Sequence, residues 1–72
     1  MTFPLYRKLS NEQSYYLITS YETLVEYKFT GKNMDLFYFN AKTYFDKLFI
    51  QEIIKNAGYY QKSTLEEFRK KN

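Results

Sequence analysis

The chain predicts an α+β domain, a single small unit spanning residues 1–72: an antiparallel β-meander with one main helix packed on one sheet face and a short C-terminal helix, in the order β-β-β-β-α-β-α. Three observations lead there. Apolar residues recur with a period of two over residues 3–43 and with a helical period over residues 45–57. Turn-forming clusters at residues 10–13 (Ser-Asn-Glu-Gln) and 31–33 (Gly-Lys-Asn) punctuate the first region at hairpin spacing. No linker, low-complexity stretch or internal repeat divides the chain.

The first hairpin is predicted from residues 5–9 and 15–21, with residues 10–13 as its polar turn. The clearest strand follows, because Val25, Tyr27 and Phe29 alternate with Leu24, Glu26, Lys28 and Thr30. The odd positions are expected to form the core face, with Leu24 an exception on the outer face. Residues 31–33 then close a second hairpin, since Gly and Asn adopt positive φ at low cost. On the return strand, residues 34–42, Phe37, Phe39 and Ala41 share one face, while Leu36 and Tyr38 share the other.

The long helix is predicted to begin at Asp46 as its cap, with Thr43 as the competing cap and Phe45 and Ile50 as a hydrophobic staple. Its apolar stripe is Phe45, Leu48, Phe49, Ile53 and Ala57. Gly58 is the expected stop, as the left-handed residue after the last turn, with Tyr59 folding back on Ile54. Residues 59–62 suffice for one short strand. Ser63 with Glu66, or Thr64 with Glu67, then caps a short helix that turns Leu65 and Phe68 inward. So short a helix does not persist alone in water and must dock on the body or fray.

Seven Phe and nine Tyr stand in a chain with no His, Cys or Trp, one Pro and two Gly. A coding bias toward A and T also raises Lys, Asn, Ile, Phe and Tyr, so the aromatic excess is not by itself a functional signal. A chain of this length buries only about 60% of the surface its unfolded form exposes. Without disulfides, stability must come from a well-filled aromatic core or from a second copy. The absence of Cys suits the cytoplasm. The longest uncharged run, residues 13–21, is too short to span a membrane, and Pro4, Arg7 and Lys8 do not resemble a secretory signal.

The formal charge of +3 is spread along the chain, without a basic block. Arg69, Lys70 and Lys71 end a predicted helix, where cations complement the macrodipole without any ligand. Catalysis would have to rest on Asp, Glu, Lys or Tyr, and the serines have no His to activate them. The carboxylates show no metal-binding spacing, and Gly31-Lys32 lacks the rest of a phosphate loop. The sequence thus predicts a protein that is not an enzyme and uses neither cofactor nor metal.

What remains is binding. If Val25, Tyr27, Phe29, Phe37, Phe39, Leu48, Phe49 and Ile53 form the core, then Tyr16, Ile18, Leu24, Leu36, Tyr38 and Ile54 still need cover. The candidate interaction face is Tyr16, Ile18, Leu36 and Tyr38, because apolar groups gathered on an outer sheet face mark an interface and Tyr is favoured there. The expected partner is another protein or a second copy of the chain, with no membrane role. Single-stranded nucleic acid is the alternative ligand, since sheet aromatics near Lys28, Lys32 and Lys42 could stack bases and attract phosphates.

Overall fold

The computed structural model describes residues 2–71. Five strands form one antiparallel sheet: β1 (Leu5–Leu9), β2 (Ser14–Ile18), β3 (Thr23–Thr30), β4 (Asn33–Asn40) and β5 (Tyr60–Lys62). Two helices complete the fold, α1 (Tyr44–Ile54) and α2 (Leu65–Lys71). The element order is the predicted β-β-β-β-α-β-α, and the spatial strand order is β4-β3-β2-β1-β5. The first four strands are a meander. The last returns to the free side of β1, leaving β4 and β5 as the edges.

Register assigns each strand residue to a face, because residues directly opposite one another in an antiparallel pair share a side. Leu5 opposes Ile18, Ile18 opposes Leu24, and Leu24 opposes Phe39. This row lies beneath α1. Ile18, Leu24, Ile50, Ile53, Ile54, Tyr16 and Ala41 form the buried cluster, with Phe39 and Phe49 packed against it at a ring separation of 5.3 Å.

The core therefore differs from the sequence expectation on two strands: Phe37 of β4 is exposed, and β3 presents its other face to α1. Leu24, not Val25, Tyr27 and Phe29, is the β3 residue that meets α1. Val25, Tyr27 and Phe29 are half-buried on the opposite side. The cause is the β3–β4 turn. Thr30 opposes Asn33, so the loop is two residues, Gly31 and Lys32, instead of three. Gly31 has a φ of 60° at the first loop position, where type II′ hairpin turns place glycine. One residue fewer in the loop pairs even positions of β3 with odd positions of β4, which reverses the face β3 offers to Phe39.

Helix α1 starts earlier than Asp46. Thr43 is its cap: the Asp46 amide donates to Thr43 Oγ1 at 3.1 Å, and the Thr43 amide donates back to Asp46 Oδ2 at 3.3 Å. Asp46 is thus the reciprocal member of the box, and no Phe45–Ile50 staple is needed. The buried stripe is Ile50, Ile53 and Ile54, and Phe45 is exposed.

The helix also stops before Gly58. Ala57 donates to the Glu52 carbonyl and Asn56 to that of Ile53, the paired bonds of a Schellman motif. Asn56 is its left-handed residue, with a φ of 60°. Gly58, also at positive φ, turns the chain into β5, and Tyr59 is exposed instead of folded on Ile54. The last turn of α1 has no basic residue of its own. Buried Arg7 supplies one from β1, its Nε and Nη2 donating to the Ile54 carbonyl at 3.3 and 3.0 Å, which satisfies an acceptor the helix end leaves free.

Helix α2 docks as its length requires. Thr64 is its cap, accepting from the Glu67 amide at 3.2 Å. Phe68 turns in; Leu65, expected inward as well, is exposed.

Candidate interaction surface

The two sheet faces are closed by different means. On the side away from α1, Phe68 drops its ring among one tyrosine from each of three strands: Tyr6 of β1 at 5.0 Å, Tyr15 of β2 at 5.4 Å and Tyr27 of β3 at 5.4 Å, all edge to face. Such pairs add about 0.5 to 1.5 kcal/mol each beyond area burial. Phe29 joins through Tyr15 at 5.7 Å. Lys8 pins the helix by donating to Glu67 Oε2 at 2.7 Å and to Glu12 at 3.2 Å. The hydrogen bond to Glu67 holds its ammonium above the ordinary lysine pKa. This one-residue plug reaches as far as β3.

Beyond it, β4 is uncovered. Tyr38 opposes Val25, Leu36 opposes Tyr27, and Met34 opposes Phe29, so all three lie on the α2 face past the edge of the plug. Their exposures are 79% for Tyr38, 43% for Leu36 and 42% for Met34. On the other face Phe37, opposite Glu26, is 50% exposed and, unlike Phe39, does not pack against the buried cluster. Every residue from Asn33 to Tyr38 is exposed. An eight-residue edge strand with apolar side chains on both faces carries one charge, Asp35.

The backbone of this edge is also open. A two-residue hairpin makes its closing pair, Thr30 and Asn33, a hydrogen-bonded one, and bonded and non-bonded pairs then alternate along the ladder. Odd positions of β4 therefore bond to β3, and the pattern continues past the strand where Ala41 donates to the Glu22 carbonyl at 2.7 Å. The amides and carbonyls of Met34, Leu36, Tyr38 and Asn40 point away from the sheet. Such an edge can accept an added strand by main-chain hydrogen bonding, with side-chain contacts supplying selectivity.

Of the residues predicted to form an interaction face, Leu36 and Tyr38 are together and exposed. Tyr16 and Ile18 are not with them: both lie on the α1 face and are buried. Tyr16 Oη donates to Glu26 Oε2 at 3.5 Å, and its ring meets Tyr60 at 5.6 Å. Burial, reinforced by the Glu26 charge, holds its phenol well above the usual tyrosine pKa. Met34 and Phe37 were missed. The available signal was that apolar residues occupy both even and odd positions of residues 34–39.

Shallow clefts are lined by Glu12, Tyr15, Glu67 and Lys70 and by Tyr21, Gln51, Ile54 and Lys55. Among the described residues, no group of three acidic side chains converges to hold a metal ion, and no helix is long and apolar enough to cross a membrane. Comparison with known protein families, with curated proteins and with solved structures finds no match.

Proposed function

We propose that the protein is a small non-enzymatic interaction module of the cytoplasm, an adaptor, regulator or inhibitor that binds another polypeptide along the β3–β4 hairpin. The supporting observation is the β4 edge. Its outward amides and carbonyls stand beside Met34, Leu36, Phe37 and Tyr38, whereas soluble proteins ordinarily blunt such an edge with Lys, Pro, a bulge or a covering element. The nucleic-acid alternative draws less support from the same geometry. Lys28 opposes Asp35 on the side away from Tyr38, so it does not flank the exposed ring as a phosphate contact would.

The test is affinity capture with wild type and with Tyr38→Ala, with and without nuclease, followed by identification of the captured protein and reconstitution from purified components. A purified partner that binds wild type and loses at least about tenfold in affinity with Tyr38→Ala is the expected result. Capture that disappears on nuclease treatment, or a partner indifferent to Tyr38, would overturn the reading.

A further inference from the structure

We infer that the occupant of the β4 edge is the β4 strand of a second copy, paired antiparallel about a twofold axis at Phe37. The inference rests on the interaction-module reading above and specifies its partner. Joining two such edges makes one continuous sheet from two five-stranded ones. The contact is isologous and closes on itself, so it stops at a dimer.

The register follows from which backbone groups are free. Met34, Leu36, Tyr38 and Asn40 must supply the hydrogen-bonded pairs, so even positions pair with even positions. Placing Leu36 opposite Tyr38 of the second copy, and Met34 opposite its Asn40, uses all four residues of each strand. This gives about eight backbone hydrogen bonds. Phe37 then faces Phe37 of the second copy in a non-hydrogen-bonded pair, where side chains approach most closely. Aromatic pairs are favourable there, and the ring is the one on the α1 face that the fold leaves half uncovered.

Alternative registers are poorer. Shifting so that Leu36 meets Leu36 places Phe37 opposite Asp35; shifting two residues further places Asp35 against Asp35, and like charges directly opposite are destabilising. Shifting the other way, so that Tyr38 meets Tyr38, shortens the overlap and leaves Met34 without an opposite residue inside the strand. The chain's charge of +3 opposes association only weakly, because β4 itself contributes no positive charge.

Size sets the strength. With roughly 200 Å² per aromatic side chain, the exposed parts of Tyr38 and Phe37 amount to about 250 Å² per copy, and Leu36 and Met34 extend this. A standard interface buries about 800 Å² per partner. The dimer is therefore of the small, reversible kind, with a dissociation constant of roughly 10 to 100 µM and a strong dependence on protein concentration.

The experiment combines sedimentation with a cysteine scan, which is clean because the chain has no cysteine of its own. Wild type is expected to pass from monomer to dimer between about 1 µM and 1 mM, and Leu36→Lys to remain monomeric with an unchanged circular dichroism spectrum. Under mild oxidation F37C should cross-link rapidly, since opposed Cα atoms near 4.5 Å fall within disulfide range. D35C lies far from its own counterpart in this register and should cross-link only slowly. The F37C and D35C comparison stands even if Leu36→Lys fails to fold. A wild type that stays monomeric throughout, or equal cross-linking of F37C and D35C, would overturn self-pairing. Reconstituted binding of a different protein that depends on Tyr38 would in that case still uphold the interaction-module reading, so the two failures are distinguishable.

Discussion

The α1 and α2 faces of the sheet use the same raw material, aliphatic and aromatic side chains on alternating strand positions, and close it very differently. On the first, an eleven-residue helix lays Ile50, Ile53 and Ile54 across the Leu5–Ile18–Leu24–Phe39 row and excludes water from it. On the second, a seven-residue helix inserts a single ring, Phe68, among Tyr6, Tyr15 and Tyr27. Aliphatic groups have no polar atom to satisfy and suit a sealed face. Tyrosines leave a hydroxyl to be hydrated and suit a face sealed only at its centre. The difference teaches where a small chain concentrates its stability and which margin it leaves uncovered.

Truncation on the sealed face should have the largest effect. Ile53→Ala removes a fully buried side chain from the middle of the α1 contact and should cost about 2 to 5 kcal/mol, a large part of the stability of a domain this size. Chemical denaturation measures it. A change below 1 kcal/mol would mean that the sealed face is not the main source of stability.

Phe68→Ala tests the other face. Removing a buried Phe from a rigid core costs about 3 to 5 kcal/mol, but a seven-residue helix can detach and let water relax the site. The expected loss is about 2 to 3 kcal/mol, accompanied by exchange of the α2 amides at rates near those of an unfolded segment. A cost equal to or above that of Ile53→Ala would break the distinction between the faces.

How the faces were misassigned from sequence has a physical explanation. Element order, the α+β class and the approximate bounds of all seven elements were legible, because periodicity and capping chemistry are local. The pairing of faces depends on loop length, and residues 31–33 were compatible with a three-residue turn as well as with the two-residue one that forms. That single residue moves Leu24 into the core and Val25, Tyr27 and Phe29 out of it. At α1, apolar residues on adjacent faces allowed more than one stripe, and the sheet meets the one formed by Ile50, Ile53 and Ile54 instead of the one containing Phe45. Leu36 and Tyr38 stand on one exposed face because they share one strand. Tyr16 and Ile18 do not join them, because their relation to β4 passes through two registers.

Alkaline titration sharpens the comparison. Lys8, Tyr15, Tyr16 and Tyr60 all hold their protons more tightly in the fold than free side chains do: Lys8 through its bond to Glu67, the three phenols first through burial. Raised pKa values mean stability that is complete below the unfolded values of about 10 and is lost as pH rises through the folded ones. Tyr16, on the sealed face, carries the largest of these phenol shifts. Ionisation of Tyr15, Tyr16 and Tyr60, followed by tyrosinate absorbance, should accordingly come above the unfolded value and be accompanied by loss of circular dichroism. Tyr16→Phe should reduce the absorbance change that accompanies unfolding. Loss of circular dichroism with no tyrosinate signal accompanying it would show that the buried phenols do not contribute to stability at high pH.

The smallest effect is expected at the margin. Tyr38 is a large ring opposite Val25, and in a sheet interior such a cross-strand pair contributes about 0.2 to 1 kcal/mol. Here the ring is 79% exposed and contributes no hydrogen bond to the ladder with β3, whose β4 partners are the odd positions. Measured at submicromolar protein, where β4 is unpaired, Tyr38→Ala should change unfolding free energy by no more than about 0.5 kcal/mol, the range of ordinary surface substitutions. Repeated near 1 mM, the same substitution should lower the melting temperature relative to wild type, because only the associating protein gains stability by mass action. A cost above 1 kcal/mol at low concentration would place Tyr38 in the folding core and remove the contrast between an edge left open and two faces that are closed.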